Sequence, residues 1–233
     1  MSGLDPTPQA TAAWMEAFTA ALQALFGENL LFVGLQGSRA RGEAAPESDI
    51  DVVVILEKAG PAELAAYRAL LDRLPQGALV CGFVSGRGEL AAWEPGDLFQ
   101  FYWDTTAYYG RLEALIPPPG EREARQAALA GACALYHAAS HNYLHGRDPQ
   151  ALGVLLKGAA FTARADWFAR TGEYLPTGSA LAGRLPAGVG ALLAARRELA
   201  GQSGWDSRCD TLSLELLAWA GELIARYGPH SKR

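Results

Sequence analysis

The sequence predicts an α/β (α+β) first half and an all-α second half, and three observations lead to that division. Before residue 117, short apolar runs bounded by turn residues alternate with stretches of helical periodicity. Pro117-Pro118-Pro119-Gly120 then interrupts the chain, because a run of prolines continues neither a helix nor a central strand. Beyond it, alanine-rich segments have helical apolar spacing. We therefore predict a domain at residues 1–116, a linker at 117–120 and a helical bundle domain at 121–233.

The first half is predicted to contain two helices and four strands. Helical spacing of apolar residues predicts one helix from Thr11 to Phe26 and a second from Pro61 to Leu74, and Pro61 suits a first helical turn. The predicted strands are Leu31–Leu35, Asp51–Leu56, Ala78–Val84 and the aromatic stretch Leu98–Trp103. Helices and strands in this alternation are typical of an α/β domain.

The second half is predicted to contain four helices. Their ranges are Glu121–Leu144, Pro149–Arg170, Val189–Leu199 and Thr211–Tyr227. Glycine and proline punctuate the gaps between them, as expected for the connections of a helical bundle.

Composition limits the function classes. Of 233 residues, 50% are apolar and 19% are charged, which is typical of a globular protein. The formal net charge of −5, without a basic cluster, argues against binding of extended nucleic acid. Cys81, Cys133 and Cys209 have neither disulfide nor zinc-site spacing, so we expect buried, reduced thiols in a cytosolic (cytoplasmic) protein. No signal peptide and no membrane-spanning run is recognised.

The most informative stretch joins the first two predicted strands. Gly37 and Ser38 form a turn after the first strand, where backbone N–H groups and a hydroxyl can approach an anion. Asp49 and Asp51 open the second strand, and residues two apart in a strand point to the same side. Paired carboxylates favour a hard cation such as Mg²⁺ shared with substrate phosphates. The motif therefore predicts a site for a metal-bound nucleoside triphosphate.

This pattern resembles the signature of the polymerase-beta-type nucleotidyltransferase superfamily. The resemblance covers residues 31–56, and the spelling Gly-Ser-x-Ala-Arg-Gly…Ser-Asp-x-Asp is similar to the minimal and aminoglycoside nucleotidyltransferases. It implies a nucleotidyltransferase domain with a small mixed sheet, which transfers a nucleoside monophosphate and releases pyrophosphate. By matching position, Gly37 and Ser38 would contact the triphosphate, and Asp49 and Asp51 would ligate Mg²⁺ or Mn²⁺. The choice of ATP as donor rests on the resemblance.

Three further polar residues adjoin this motif. Arg41 is a predicted phosphate contact, with solvation as the alternative, since arginines in a polar loop are most often solvated. Arg39 is the weaker candidate, because the family pattern tolerates variation at its position. Ser48 is expected to support Asp49 through a local turn hydrogen bond.

Members of the superfamily usually carry a third carboxylate on a later strand, the one that comes after the helix following the Asp-x-Asp strand. The predicted strand Ala78–Val84 contains neither Asp nor Glu, which puts two-metal catalysis in doubt. We predict that Asp104, at the end of the aromatic strand, completes the catalytic metal site, since a carboxylate at a strand end is well fixed. Glu89, which follows a loop, is the alternative ligand. The purely structural interpretation of Asp104 is a cap or turn residue, and that of Glu89 is the start of a short helix.

The helical half offers candidates that would face the nucleotide or acceptor. Lys157 and Arg164 lie seven residues apart on one predicted helix face, and Lys157 is the predicted phosphate contact, with solvation as the alternative. Asp166 and Glu173 are candidate acceptor bases, and Tyr174 is a further candidate. His137, His141 and His145 recur at four-residue steps; this spacing can bind a metal, but we interpret it as a polar stripe.

Three functions follow from these observations and the resemblance. The first is a nucleotidyltransferase that adenylates a hydroxyl on a small polar acceptor, with neither an extended nucleic acid nor a membrane as a partner. The second is an antitoxin-like protein that nucleotidylates or binds a partner protein, although the Arg-x4-6-His motif of such helical partners is absent, since Arg125 lies too far from His137. The third is a catalytically degenerate nucleotide-binding protein. The acceptor, the base preference and the oligomeric state are not determined by the sequence, and a homodimer is left open.

Overall fold

The computed structural model describes residues 3–199 and 201–229, and the chain divides into two compact units. The first unit comprises Met1–Glu94 and Phe101–Pro118, and the second comprises Pro95–Gln100 and Pro119–Arg233. The domain limits given from the sequence, 1–116, 117–120 and 121–233, stay a prediction.

The first unit contains a small mixed sheet and short helices. Its strands are β1 (Leu30–Leu35), β2 (Ile50–Leu56), β3 (Val80–Gly86) and β4 (Thr106–Tyr109). Its helices are α1 (Pro8–Phe26), α2 (Gly37–Ala40), α3 (Pro61–Leu71) and α4 (Arg87–Ala91), with 3₁₀ turns at Gly27–Asn29, Gly77–Leu79 and Leu112–Ala114. The predicted combination of helices with a small mixed sheet is confirmed.

The strand order of the sheet is β3-β2-β1-β4. β1 runs antiparallel to both β2 and β4, whereas β3 runs parallel to β2. The end of β1 therefore lies beside the beginning of β2, with Leu35 opposite Val52. The parallel β3 brings its own beginning to the same edge, with Ile50 opposite Val80. This topology assembles the turn after β1 and the starts of two strands at one edge of the sheet.

Alternation along β2 divides its side chains between the two faces of the sheet. Ile50, Val52, Val54 and Leu56 are buried and pack in one core with Met15, Phe18 and Leu22 of α1 and Tyr67 of α3. Burial of each large aliphatic side chain stabilises the fold by about 1.5–3 kcal/mol. The odd-numbered positions, among them Asp51, point to the opposite face because strand side chains alternate.

The aromatic stretch Leu98–Trp103 is not a strand, and that prediction is wrong. It belongs to the helix α5 (Pro95–Trp103), which Pro95 opens and in which Asp97 lies in the first turn. Phe99 and Trp103 are four residues apart, the spacing that places side chains on one helix face. The fourth strand, β4, follows at Thr106–Tyr109. Asp104 therefore lies in the connection between a helix and a strand, and not at a strand end.

The second unit is helical. Its helices are α6 (Glu121–His141), α7 (Pro149–Thr171), α8 (Gly178–Ala182), α9 (Ala187–Ala194) and α10 (Ser207–Tyr227), with a π-helical turn at Asn142–Gly146 and a 3₁₀ turn at Ala195–Arg197. Asp148 and Asp206 cap α7 and α10, because their carboxylates accept hydrogen bonds from the backbone N–H groups of Gln150 and Cys209. One hydrophobic core joins these helices. The predicted helical second half is confirmed.

Cysteine burial departs from the expectation. Only Cys209 is buried, whereas Cys81 on β3 and Cys133 on α6 are exposed, and all three are free thiols. The two exposed cysteines occupy positions at which the strand or helix faces away from a core. Among the helices of the described residues, none combines the length and apolar character that crossing a bilayer requires.

Candidate active site

The turn after β1 brings its backbone against a carboxylate of β2. Gln36 donates its backbone N–H to the carbonyl of Asp51 over 2.7 Å, which ties the end of β1 to the start of β2. Gly37 follows with φ +73°, a conformation that favours glycine. A Cβ atom at Gly37 would overlap Oδ2 of Asp51 and stand 2.7 Å from its Cγ. Glycine is therefore required here both for the backbone conformation and for the close approach of the carboxylate.

Asp49 and Asp51 lie on either side of the buried residue Ile50. Ile50, which lies between them, is fully buried in the core of the first unit. Asp49 is exposed and Asp51 is half-buried, and both precede or begin β2. Because Ile50 points into the core, strand alternation places the Asp51 side chain on the other face of the sheet, and Asp49 lies directly before the strand.

Arg39 holds the loops around the site together. Its buried guanidinium donates to the carbonyls of Ser48 over 2.9 Å and Asp49 over 3.2 Å. It also donates to the carbonyls of Leu4 over 3.2 Å and Asp5 over 3.3 Å. Burial lowers the pKa of Arg39 below its usual value, and nearby carboxylates, Asp49 first among them, oppose that shift. The structure therefore directs Arg39 toward backbone carbonyls, in keeping with the lower weight that the sequence gives it as a phosphate contact.

Arg41 forms a nearly buried ion pair with Asp104. Its Nη1 donates to Oδ1 of Asp104 over 2.9 Å and to Oδ2 over 2.7 Å. Its Nε also donates to Glu43 over 3.1 Å. Burial acts to lower the pKa of Arg41, but the charge of Asp104 and its hydrogen bonds, together with Glu43, raise that pKa overall.

The two serines of the motif have different surroundings. Ser48 Oγ accepts from the backbone N–H of Ala45 over 2.9 Å, while its own N–H donates to the Ala45 carbonyl over 2.9 Å. Ser48 thus stabilises the loop before Asp49 through a local turn. Ser38 is half-buried in α2, and its carbonyl accepts from the N–H of Glu43 over 2.8 Å.

The position beside Asp51 on the neighbouring strand is occupied by Cys81. The parallel register pairs Asp51 with Cys81 and Val52 with Gly82, so the Cys81 side chain projects on the same face as Asp51. β3 carries no carboxylate. Glu89, the alternative, lies in α4, and both oxygens of Asp104 accept from Arg41. Within residues 3–199 and 201–229, no group of three or more His, Cys, Asp or Glu side chains could hold a metal ion.

The residues present nevertheless fit a metal that arrives with a nucleotide. Mg²⁺ keeps several waters and is commonly held by one or two carboxylates together with substrate phosphates. Asp49 and Asp51 supply two carboxylates, and the absence of a side chain at Gly37 leaves Oδ2 of Asp51 beside the backbone of the turn. The set therefore matches a Mg²⁺–triphosphate complex better than a metal bound by protein alone.

The candidates of the helical unit differ widely in their surroundings. Lys157 is exposed, whereas Arg164 is buried and donates from Nε to the carbonyl of Leu175 over 3.0 Å. Asp166 is buried and accepts hydrogen bonds from three side chains of this unit, those of Arg170, Arg226 and Tyr227. Glu173 lies 3.7 Å from Arg184. Because the oxygens of Asp166 already accept these hydrogen bonds, this carboxylate is less suited to act as a base than an accessible one is.

The histidine row lies at the surface. His137, His141 and His145 are exposed, and the rings of His141 and His145 stand 5.3 Å apart at the end of α6. Exposure of all three agrees with the interpretation as a polar stripe.

Two features of the site were missed from the sequence. The side-chain amide of Gln36 donates to the carbonyl of Phe101 over 2.9 Å and to Thr105 Oγ1 over 2.7 Å. A polar residue that ends an apolar strand directly before a glycine turn is a signal for such a contact. Cys81 beside Asp51 was missed because strand register is not visible in one sequence.

Comparisons with known proteins agree with this geometry. A family model described as a nucleotidyltransferase domain matches residues 16–86, which include the turn, both aspartates and β3. Among solved structures, the chain is similar to the spectinomycin adenyltransferase AAD(9) from Enterococcus faecialis, solved with ATP and spectinomycin. The TM-score is 0.57 at 16% identity, with 91% of this chain and 98% of that chain covered. At this identity the likeness concerns the fold. No curated protein matches the chain.

Proposed function

Residues 16–86 belong to the polymerase-beta-type nucleotidyltransferase superfamily, and from that premise we propose that this enzyme transfers AMP from ATP to a hydroxyl group of a small polar acceptor. The observation that carries the proposal is the contact between Gly37 and Asp51, where a side chain would displace the carboxylate. A backbone turn held against a strand-start carboxylate supports joint binding of phosphate and metal.

The reaction requires binding and alignment from the chain. The N–H groups of the Gly37–Ser38 turn would bind the β- and γ-phosphates, and Asp49 and Asp51 would hold Mg²⁺ on the triphosphate. When bound, this ion supplies charge neutralisation that favours departure of pyrophosphate. The acceptor oxygen forms a bond to the α-phosphorus as the bond from that phosphorus to the bridging oxygen breaks in line. The products are the adenylated acceptor, pyrophosphate and the proton of the hydroxyl group.

The small polar acceptor is supported by two observations. The similar structure is that of an enzyme solved with ATP and spectinomycin, a small acceptor rather than a nucleic acid. The net charge of −5 favours approach of a cationic small molecule over that of a polyanion. Lys157, which is exposed, remains a proposed contact of the triphosphate.

Calorimetry of Mg²⁺ with a non-hydrolysable ATP analogue tests the nucleotide site. We expect metal-dependent binding in the wild type and its loss in Asp49→Asn/Asp51→Asn. Glu47→Gln is the matched control, because it removes one exposed carboxylate from the same loop and should bind as the wild type does. Absence of wild-type binding with both Mg²⁺ and Mn²⁺ would overturn the proposal.

Turnover then identifies the acceptor class. Pyrophosphate release with a panel of aminocyclitols and other polyhydroxylated amines should depend on both the acceptor and Asp51. Mass spectrometry of the acceptor should find one added adenylyl group. Transfer of label to a co-purifying protein in place of the small acceptor would favour an antitoxin-like modifying enzyme.

A nucleotide-binding protein without catalysis is the second candidate, and Cys81 is the observation that favours it. β3 is the strand on which the superfamily usually carries a third carboxylate, and here its residue beside Asp51 is the thiol of Cys81. Cys81→Asp should then raise the affinity for Mg²⁺ in the presence of nucleotide by about tenfold, because a third carboxylate adds a hard ligand. Cys133→Asp, at an exposed helical position, is the control. If the wild type binds nucleotide tightly without turnover and Cys81→Asp gains turnover, the protein is a nucleotide-binding protein that lacks catalysis.

A further inference from the structure

Two polar side chains tie the turn after β1 to the segment between α5 and β4. Gln36 precedes the turn, and its amide nitrogen donates to the Phe101 carbonyl and to Thr105 Oγ1. Arg41 follows α2, and its guanidinium donates to both oxygens of Asp104. The turn is thus attached to the 101–105 segment on both of its sides.

The Arg41–Asp104 pair is the stronger of the two attachments. The side chains are only 11% and 7% exposed, and their closest approach is 2.7 Å. One guanidinium nitrogen, Nη1, contacts both carboxylate oxygens, and in a pair this nearly buried the removal of either charge leaves the other without compensation. Glu43 accepts from Nε of the same guanidinium, which further restricts its orientation.

The backbone of the turn transmits this attachment to the candidate phosphate site. The N–H of Arg41 donates to the Gly37 carbonyl over 3.3 Å, and the N–H of Glu43 donates to the Ser38 carbonyl over 2.8 Å. The residues that Arg41 and Glu43 fix are therefore the two whose N–H groups are assigned to the triphosphate. A displacement of Arg41 moves Gly37 and Ser38 with it.

We propose that Asp104 is a positioning residue, which acts through Arg41 to hold the Gly37–Gly42 turn in the shape that receives the triphosphate, and that it is not a metal ligand. The inference rests on the proposed function of the turn. It replaces the metal role predicted for Asp104, since rotating that carboxylate toward a metal would leave the nearly buried Arg41 unpaired.

Steady-state kinetics of single and double variants separate the two roles. For a positioning residue, Asp104→Asn and Arg41→Gln should each raise KM for Mg·ATP by about tenfold or more, with a smaller change in kcat, because the turn and not the reacting atoms is disturbed. The double variant should resemble either single variant, because both remove the same ion pair. For a metal ligand, Asp104→Asn alone would shift the Mg²⁺ concentration that gives half-maximal rate, and this result would overturn the proposal.

Matched controls exclude a general loss of stability. Arg226→Gln removes an ion-pair partner of Asp166 in the helical unit, where Nη1 of Arg226 lies 2.8 Å from Oδ1 of Asp166. The Asp166 side chain is 7% exposed, as is that of Asp104. Arg226→Gln should lower the unfolding midpoint without changing KM for Mg·ATP. Asp104→Glu keeps the charge and should recover part of the nucleotide affinity; if Asp104→Asn fails to fold, Asp104→Glu and Arg41→Lys provide the comparison of KM with kcat.

Hydrogen exchange keeps the inference testable if nucleotide transfer itself is not observed. In Asp104→Asn and in Arg41→Gln, the backbone amides at positions 41 and 43 should exchange at least tenfold faster than in wild type, while those of β2 remain unchanged. Unchanged exchange at the turn would overturn the positioning role. Failure of the wild type to bind nucleotide would instead contradict the proposed function and leave the exchange result standing as a description of the turn.

Discussion

At the scale of single residues, Gly37 is the position where one added carbon is most disruptive. Its φ of +73° and the adjacent Asp51 carboxylate both exclude a side chain. A left-handed backbone conformation costs a non-glycine residue about 1–2 kcal/mol. Gly37→Ala should lower the free energy of unfolding by more than this amount and should weaken Mg·ATP binding at least tenfold. Both quantities are measured by urea unfolding and calorimetry.

Gly42→Ala separates strain from overlap. Gly42 has φ +68°, but a Cβ there would meet no atom within 4 Å. The variant should therefore show the cost of the backbone conformation alone, with a smaller loss of nucleotide affinity. Equal losses at both glycines would contradict the role assigned to the Gly37–Asp51 contact.

Arg39 is the second residue whose removal should have a large effect. Its guanidinium satisfies four carbonyls, and Arg39→Ala would leave them without that donor. We expect a loss of about 3 kcal/mol in the free energy of unfolding, because hydrogen bonds to a charged group are strong and four of them are lost together. Arg39→Lys should recover little, since an ammonium group lacks the planar fork.

The control for Arg39 is an exposed arginine of the same unit. Arg87 pairs with Glu57 while their side chains are 45% and 49% exposed. Arg87→Ala should change the free energy of unfolding by about 0.5 kcal/mol or less. A similar loss in the two variants would show that the four carbonyl contacts contribute little.

At the scale of elements, α5 shows where periodicity and propensity disagreed. Phe99, Phe101, Tyr102 and Trp103 have high strand propensity, and this led to the prediction of a strand. Packing decided otherwise: Phe99 is buried, with its ring 4.9 Å from that of Phe168. Pro95 and the four-residue spacing of Phe99 and Trp103 are the features of the sequence that favour a helix here.

The end of α10 depends on a tyrosine that should respond to alkaline pH. Tyr227 donates its hydroxyl to Oδ1 of Asp166 on α7 over 2.7 Å. Burial, and then the hydrogen bond and charge of Asp166, raise the pKa of Tyr227 from its ordinary 10.0 to about 12. Because the folded state holds this proton more tightly, the contact stabilises the fold fully below pH 10 and is lost as the pH rises toward 12.

Thermal unfolding of Tyr227→Phe measures this contribution. Between pH 10 and 12, the melting temperature of the wild type should fall more steeply than that of Tyr227→Phe. The difference between the two proteins should be constant below pH 9. Parallel curves across the alkaline range would contradict the pKa shift assigned to Tyr227.

At the scale of the whole molecule, charge predicts what the protein does not bind. A net charge of −5 and the absence of a basic cluster in the sequence predict weak electrostatic attraction to a polyanion, on which nucleic-acid binding depends. We expect no binding of duplex DNA or structured RNA at about 0.15 M salt, as measured by fluorescence anisotropy. Saturable, salt-sensitive binding would contradict the small-molecule acceptor.

The division of the chain was largely visible in its sequence. Apolar runs of strand length, helical periodicity and a proline-rich interruption are local properties, so the mixed first half and helical second half could be read without a structure. The pairing of Gly37-Ser38 with Asp49 and Asp51 was equally local, since a turn and the following strand start are adjacent in the chain. The limits of elements were less certain: α3 ends at Leu71, and β3 begins at Val80.

By itself, the sequence determined the two halves, the glycine turn and the paired aspartates, because periodicity and turn chemistry act over a few neighbouring residues. Tertiary structure alone decided what stands beside them. Strand register placed Cys81 next to Asp51, and the fold of the 101–105 segment joined Asp104 to Arg41, 63 residues earlier in the chain. Register and long-range ion pairs depend on how distant segments pack, and no local pattern encodes that choice.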